Sequence, residues 1–556
     1  MSTASDSNRP WFEASPERLQ WELDRFAEHA LPAAHRVVPL GDGSPASLWI
    51  ETELSFKDEA VRISILLPAD YPDAPPSFFG PRDLLERHEY PGQHELCWSA
   101  DQDRDWHPGR DAAYIVANNL WALLADAERG EAAVLAGEAD MPEPISGFIK
   151  FARSQVVVVA EPFFERDLPV GRGKLKLLRE GNRLFLNSAE GLGAADDRLR
   201  RRFIRGGKPE PDGYWVELAE PRAQLFNDLE PWDLRDVAPE LFQRLAARTR
   251  RGRSALVGVW LGVTFMEEGP VRGEVRRNWA FGWVDSATTS AVWFQAQALT
   301  RSERSRRTPE LVGLDRARVL VAGAGSLGAP VTFELAKAGA GHLDIVDPDI
   351  FDVNNAARHA LPVTCAGQNK AEAVAEAALM INPFVEATHY PISIQGFGPD
   401  GNAVRQLIED STVVVDTTGS NTAARVLQRL CIEAERPLVV AGLTAGSYGG
   451  VVRVAEPNGP CFDCLLLHQQ DGAIAPVSEA PPTSLVTPRG CSHPAFAGAG
   501  FEATQLAAVA ARAVVQTSHL SSYPAASYNW AVLNFRTAPG WRSGIAQRHP
   551  DCWRHG

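Results

Sequence analysis

The chain lacks any run of the roughly 18 consecutive apolar residues that a membrane span requires, so no transmembrane segment is expected. It also lacks a basic balance. The formal charge is −15, which argues against general nucleic-acid binding. Cysteine is scarce, seven in 556 residues, too few for a disulfide framework, and an odd count leaves at least one thiol unpaired. The opening MSTASDSNRPWFEASPERL has neither the apolar core of a signal peptide nor the basic character of a transit peptide. The expected setting is the cytoplasm, with reduced cysteines that serve as buried filler, metal ligands or nucleophiles. No internal repeat is visible. What is present is an ordinary globular composition, 45% hydrophobic and 22% charged, in a chain too long for one core.

Three blocks are expected. In the first, 10–135, Ser15 and Pro16 open a helix with Leu19, Leu23 and Phe26 on one face. SLWIETELSF (47–56) and AVRISILLPA (60–69) read as strands. A turn-rich YPDAPPSFFGP, a loop holding Cys97 and the closing helix DAAYIVANNLWALLADAERG complete an α+β order. The second block, 141–305, alternates short strand-like runs (QVVVVAE, LKLLRE, ALVGVWLGVTF) with basic clusters, DRLRRRFIRGGK and RTRRGR, that read as solvated faces. The third, 306–540, alternates strands and helices as a parallel α/β sheet does. Within it, DGAIAPVSEAPPTSLVTPRG (471–490) reads as a long mobile loop, and 541–556 as a tail.

The chemistry concentrates in the third block. The strand RVLVA ends at Gly323-Ala-Gly325-Ser-Leu-Gly328, and a helix starts at once. Glycines let the backbone approach phosphate, and a helix N-terminus supplies amide donors. A second strand leads to Asp347, nineteen residues past Gly328, a spacing that suits an acid on a ribose hydroxyl. This much fits an NAD dehydrogenase equally well.

The run Asp347-Pro-Asp349-Ile-Phe-Asp-Val-Asn354-Asn355-Ala-Ala-Arg358-His359 separates the two. With Gly367-Gln-Asn-Lys370, Asn382-Pro383 and the strand STVVVDTT, it resembles the ThiF/MoeB adenylyltransferases and ubiquitin-activating enzymes. That resemblance implies a Rossmann-type adenylation domain using ATP and Mg2+. Asn355, Arg358 and Lys370 would then act at the phosphates. An adenylation site holds a triphosphate while a carboxylate attacks the α-phosphorus, and so needs cations that hydride transfer does not. One departure stands out. Where the family carries a second acid, the run here is Asp416-Thr-Thr418-Gly419, which leaves Asp416 or Asp349 for the metal.

The cysteines divide by context. Cys365 and Cys431 read as structural. Cys461-Phe-Asp-Cys464 pairs with Cys552-Trp-Arg-His555 as a candidate closed zinc site. Cys491, beside Arg489 and His493 and ahead of a helix, is the candidate activating thiol. Around Cys97, the helix, the strands, Tyr71-Pro72-x-x-Pro75-Pro76, Leu96-Cys97, Trp106-His-Pro108 and a closing helix resemble a ubiquitin-conjugating domain. The family His-Pro-Asn element is missing. His88 stands nine residues before the cysteine, and His94 is nearer.

The whole order resembles the activating–conjugating fusions of CBASS antiphage operons. It implies a relay: an acyl-adenylate, a thioester on Cys491, transfer to Cys97, then an amide with an amine. The implied partner is a protein with a free C-terminus, a cGAS-like nucleotidyltransferase or a ubiquitin-like protein. The middle block would be an inactive adenylation-like domain that aids homodimerisation. Sulfur transfer and an inactive scaffold are the competing readings.

Overall fold

A computed structural model describes residues 10–39, 46–56, 59–81, 84–85, 89–90, 94–99, 102–128, 144–165, 171–219, 258–271, 273–284, 291–479, 498–536 and 540–555. The chain divides into two compact units. One comprises 1–195 with 206–298, the other 196–205 with 299–556.

The first unit contains two sheets. Residues 33–96 form a five-stranded antiparallel meander in sequence order. Helix α1 (Pro16–Glu28) and the helical stretch 112–128 share its core of Phe26, Ile50, Ile65, Phe78 and Trp98. Both sequence-read strands are present, as Ser47–Phe56 and Glu59–Leu67. Alternation of buried and exposed residues along them leaves one apolar face inward.

This core also buries a carboxylate. Glu22 accepts from Arg18 at 2.6 Å, from the Tyr71 hydroxyl, and from the Ala112 amide at 3.2 Å. Burial raises its pKa. The glutamate thus ties α1, the Tyr71 turn and the closing helix to one point. Removing it takes the counter-ion from Arg18 and the acceptor from the Tyr71 hydroxyl and the Ala112 amide, so Glu22→Ala is expected to cost about 3–5 kcal/mol in urea unfolding of the intact chain. A cost below about 1 kcal/mol would show that the network is incidental.

The middle block forms a nine-stranded sheet of mostly antiparallel neighbours, and strands 172–180 and 183–189 pair to close it on itself. The described residues there do not form the parallel α/β layer expected of an adenylation-like domain. Its strands carry a buried aromatic interior, Trp215, Trp260, Trp279 and Phe281. The cluster RTRRGR lies outside the described residues. The other basic cluster is a short helix, α2 (Asp197–Phe203), and it belongs to the second unit. Leu199 is buried, Arg198 pairs with Glu386 at 2.8 Å, and Arg202 donates to the carbonyls of Pro383 and Val385. The face is therefore docked on one side rather than fully solvated.

The second unit is built on an eight-stranded sheet. Its strands are β1 (Arg318–Ala322), β2 (His342–Val346), β3 (Glu386–Tyr390), β4 (Val413–Asp416), β5 (Leu438–Leu443), β6 (Gly449–Ala455), β7 (Trp530–Asn534) and β8 (Gly540–Gly544). They lie in the order β3-β2-β1-β4-β5-β6-β7-β8. The first five are parallel and the last three antiparallel. The inner parallel strands are mostly apolar because helices cover both faces, whereas the edge strand β3, Glu-Ala-Thr-His-Tyr, is largely exposed. On one face lie α3 (Gly328–Ala338), α4 (Lys370–Ile381) and α7 (Gly500–Ser518). On the other lie helices Gly398–Asp410 and α5 (Asn421–Glu433). Leu506, Ala507, Ala510 and Ala513 bring α7 close, and small residues permit that approach.

Two boundary expectations change. The supposed tail is structural: β8 pairs with β7, and Cys552 is buried. The supposed mobile loop begins as ordered chain. Ile474 is buried, and Ser478 is bonded to Asn534 at 2.7 Å and Thr444 at 2.5 Å. Residues 480–490 lie outside the described residues. Apolar burial and strand pairing won over the Ala/Pro/Ser composition in one case and the chain-end position in the other.

Candidate functional site

Strand order reverses between β1 and β4, and a crevice opens at their carboxyl ends, where open α/β sheets bind ligands. The glycine loop leaves β1 there. Gly328 opens α3 against the loop, and a Cβ on it would stand 1.9 Å from the Gly323 carbonyl oxygen. No other residue fits. Across the crevice, Thr417 donates to the carbonyls of Ala322 and Gly323 at 3.0 and 2.8 Å, stitching β4 to the loop.

The cavity holds about 210 Å3 and is lined by Gly325, Asn355, Arg358, His359, Lys370 and Gly419 among others. It thus unites the glycine loop and both predicted cations. Arg358 follows a 3-10 turn (Val353–Ala357) whose start is closed reciprocally by Asp352 and Asn355. Lys370 begins α4, and its ammonium lies 2.8 Å from Asp349. The Asp349 side chain is 65% exposed, so that pair competes with water and leaves Lys370 available to a stronger anion.

The acids lie differently from a simple ligand list. Asp347 is buried and already accepts from Ala324 at 2.7 Å and Asp349 at 2.9 Å, both backbone amides. Burial raises its pKa. In this structure it shapes the loop instead of presenting free oxygens to a ribose. Asp416 is buried behind the cavity, bonded to the Thr418 amide and hydroxyl, with a pKa pushed up to about 6 by burial. Gly419 adopts φ +70°, and space is open where a side chain would project.

Three positioning residues escaped the sequence reading. Asn369 caps α4 and donates to the carbonyls of Asp347 and Asp349, 3.1 Å each, fixing the D-x-D run against Lys370. Thr417 is the second. His359 is the third: its Nε2 lies 2.8 Å from the Ala324 carbonyl, and its Nδ1 accepts from the Leu361 amide at 3.1 Å. These partners require the neutral ring with the proton on Nε2. Burial lowers its pKa, helped by Lys370 and Arg358.

A lowered histidine pKa means the unfolded chain binds the proton more readily. This contribution to stability is complete above the ordinary value of 6.5 and declines as pH falls through and below it. Thermal unfolding between about pH 5 and 8 should show a decline on the acid side that His359→Gln reduces. An identical pH profile in both proteins would refute the assignment.

The cysteines fall into three situations. Cys461, Cys464, Cys552 and His555 form one cluster whose ligand atoms all lie within 4.8 Å of one another. The sulfur of Cys461 is 3.8 Å from that of Cys464 and 3.5 Å from that of Cys552. His555 Nε2 is buried without a hydrogen-bond partner. Three thiols and an orphaned imidazole nitrogen make a donor set that fits a tetrahedral zinc ion. Cys97 directly follows the strand Glu95–Leu96 and is half-buried. His94 is held by Glu89 at 3.0 Å. Cys491, Arg489 and His493 lie outside the described residues, as does His88. The described chain on either side of Cys491 is nevertheless informative. On one side, Ser478 is bonded to Thr444, next to cavity-lining Leu443. On the other, a Cβ at Gly500 would stand 3.0 Å from the Arg358 carbonyl oxygen.

Residues 304–553 match the ThiF family. Over 98% of its length the chain is similar to uncharacterized protein y4oA of Sinorhizobium fredii (25% identity, 97% of that protein). It is also similar to the mouse adenylyltransferase and sulfurtransferase MOCS3 (33% identity over 30% of this chain and 36% of that protein). Among solved structures, E. coli MccB with ATP aligns with 17% identity and a TM-score of 0.33, over 44% of this chain and 68% of that one. MccB in complex with N-formylated MccA aligns with 18% identity and a TM-score of 0.36, over 46% and 76%. Residues 304–553 of this chain thus carry a domain of the ThiF family.

Proposed function

We propose that this chain uses ATP to adenylate the C-terminal carboxylate of a partner protein and then passes the acyl group between two of its own cysteines. The convergence of the glycine loop, Arg358 and Lys370 on one crevice carries the first step. A carboxylate oxygen attacks the α-phosphorus, and the bond to pyrophosphate breaks. The two cations and the amides at the start of α3 hold the phosphate charge that shifts onto the leaving group. Magnesium supplies further charge neutralisation when bound, with the exposed Asp349 and the buried Asp416 as its candidate ligands.

The second step is thiolate attack by Cys491 on the acyl carbon, with AMP leaving. At one described end of the segment bearing Cys491, Ser478 bonds to Thr444, the neighbour of cavity-lining Leu443, and at the other Gly500 abuts cavity-lining Arg358, which supports this assignment. Transfer to Cys97 and attack by an amine, from a lysine on an acceptor protein, complete the relay. The N-terminal helix, meander, cysteine and closing helix support a conjugating role for the first block. There the Trp106 indole donates to the Pro72 carbonyl at 2.8 Å and joins two of the segments on which the resemblance rests. By that resemblance the partner is a cGAS-like nucleotidyltransferase or a ubiquitin-like protein, and the enzyme a cytoplasmic homodimer in antiphage defence. Similarity to MOCS3 keeps sulfur transfer as the second reading. The deciding experiment is mass spectrometry of the chain with ATP and such a partner, without and with added sulfide: thioester adducts support the relay, and a thiocarboxylate, formed when sulfide displaces AMP from the acyl-adenylate only in the presence of the chain, supports sulfur transfer.

Zinc, when bound, would close the C-terminal segment onto helix α6 (Phe462–Gln470) through Cys461, Cys464, Cys552 and His555. Treatment with a strong chelator should lower Tm by several degrees and release about one zinc per chain. Cys464→Ser should start from the lower Tm and respond little to chelator. Metal analysis finding no zinc in the native protein would overturn the assignment.

A further inference from the structure

The basic helix α2 has no part in the adenylation chemistry, yet it forms one wall of a cavity of about 460 Å3. Arg198, Arg201, Arg202 and Arg205 face it, with Asp197 and Glu376 as the opposing carboxylates, so the lining is net positive. This stands out on a chain of formal charge −15. Arg198 and Arg202 are anchored through Glu386 and the backbone of 383–385, which fixes the helix in place. Arg201 is 74% exposed and held only by the exposed Asp197, and Arg205 makes no ion pair among the described residues.

The other wall is aliphatic. Leu379 is half-buried, and Met380 is 59% exposed at the far end of α4. Methionine adapts to varied apolar partners. Among the described residues no aromatic ring lines the cavity to stack a base, which favours a peptide over a nucleotide. Lys370 opens the same helix at the nucleotide crevice, ten residues before Met380, about 15 Å away along the helix. A protein whose C-terminus occupied the crevice could reach this second site with a neighbouring segment.

We infer that the arginine-lined cavity between α2 and α4 is a docking surface for an acidic, leucine-containing segment of a protein partner. This rests on the reading that the chain handles a protein substrate, and charge complementarity with an apolar wall selects the occupant.

The test uses the full chain and a fluorescein-labelled dodecapeptide of alternating glutamate and leucine, amidated so that it cannot be adenylated. Anisotropy should show saturable binding that weakens with salt and falls at least about tenfold in the double variant R201E/R205E. Both replaced side chains are exposed, so the fold is retained. Absence of saturable binding, equal binding by the variant, or equal binding of a lysine–leucine peptide would overturn the inference. So would a change of oligomeric state in the variant with peptide binding intact, which would make this a surface between copies. ATP–pyrophosphate exchange with a partner protein is read separately: exchange intact without peptide binding rejects the docking surface alone, and exchange absent from the native chain rejects the adenylation reading.

Discussion

Replacing both Arg358 and Lys370 with alanine is expected to reduce ATP–pyrophosphate exchange by at least about a thousandfold. Each cation lines the crevice beside the glycine loop. Removing one preorganised group that stabilises developing charge typically costs about a hundredfold to a thousandfold. Two that act on one phosphate chain should cost more than either, though less than the product if they share a load. The fold should survive, because the Lys370 pair with exposed Asp349 contributes about 0–1 kcal/mol. Arg358→Lys should recover only part of the rate, since an ammonium cannot grip two phosphate oxygens as a guanidinium does. The measurement is label exchange from pyrophosphate into ATP with a carboxylate partner present. Exchange that persists in the double variant at unchanged Tm would sink the site assignment.

The second large effect separates activation from transfer. Cys491→Ala should retain pyrophosphate exchange yet form no reductant-sensitive adduct, because adenylation needs the crevice and the thioester needs the thiol. Cys97→Ala should do the reverse at the next stage. The acyl group should accumulate on Cys491, and amide product should disappear within detection. The relay is ordered, so the two variants mixed in one tube also report whether transfer crosses between chains. Amide formation by Cys97→Ala would reject the conjugating role of the first block. A thioester on a cysteine other than Cys491 would reassign the activating thiol.

Much of the candidate site was legible because its groups cluster within short stretches. Gly323 to Gly328 and Asp347 to Lys370 carry type and spacing together. The residues that escaped work through partners distant in sequence. His359 bonds to Ala324, 35 residues away, and Thr417 to Ala322, 95 residues away. No local pattern records such pairings. Asp347 carries a second role that its spacing does not announce: only the fold reveals that two backbone amides of the loop bond to its carboxylate. The zinc-type cluster was readable because Cys-x-x-Cys and Cys-x-x-His advertise their ligands, although 91 residues separate Cys461 from Cys552. The strand Gly540–Gly544 was not, since Gly-Trp-Arg-Ser-Gly has no apolar alternation and forms by pairing with β7. The middle block shows the limit of argument by domain order, which carries no information about strand direction.

The helix 197–203 changes how this protein can be cut. A fragment beginning at residue 299, the obvious choice for isolating the C-terminal half, would leave behind a piece of its own structure. The Pro383 and Val385 carbonyls would lose Arg202, Glu386 would lose Arg198, and the patch that α2 covers on α4 would be laid bare. Such a fragment should be less soluble and melt lower than the same domain in the whole chain, and adding back a peptide of residues 196–205 should restore part of the loss. Truncation data would otherwise misassign to the first unit a contribution that comes from ten residues of the second.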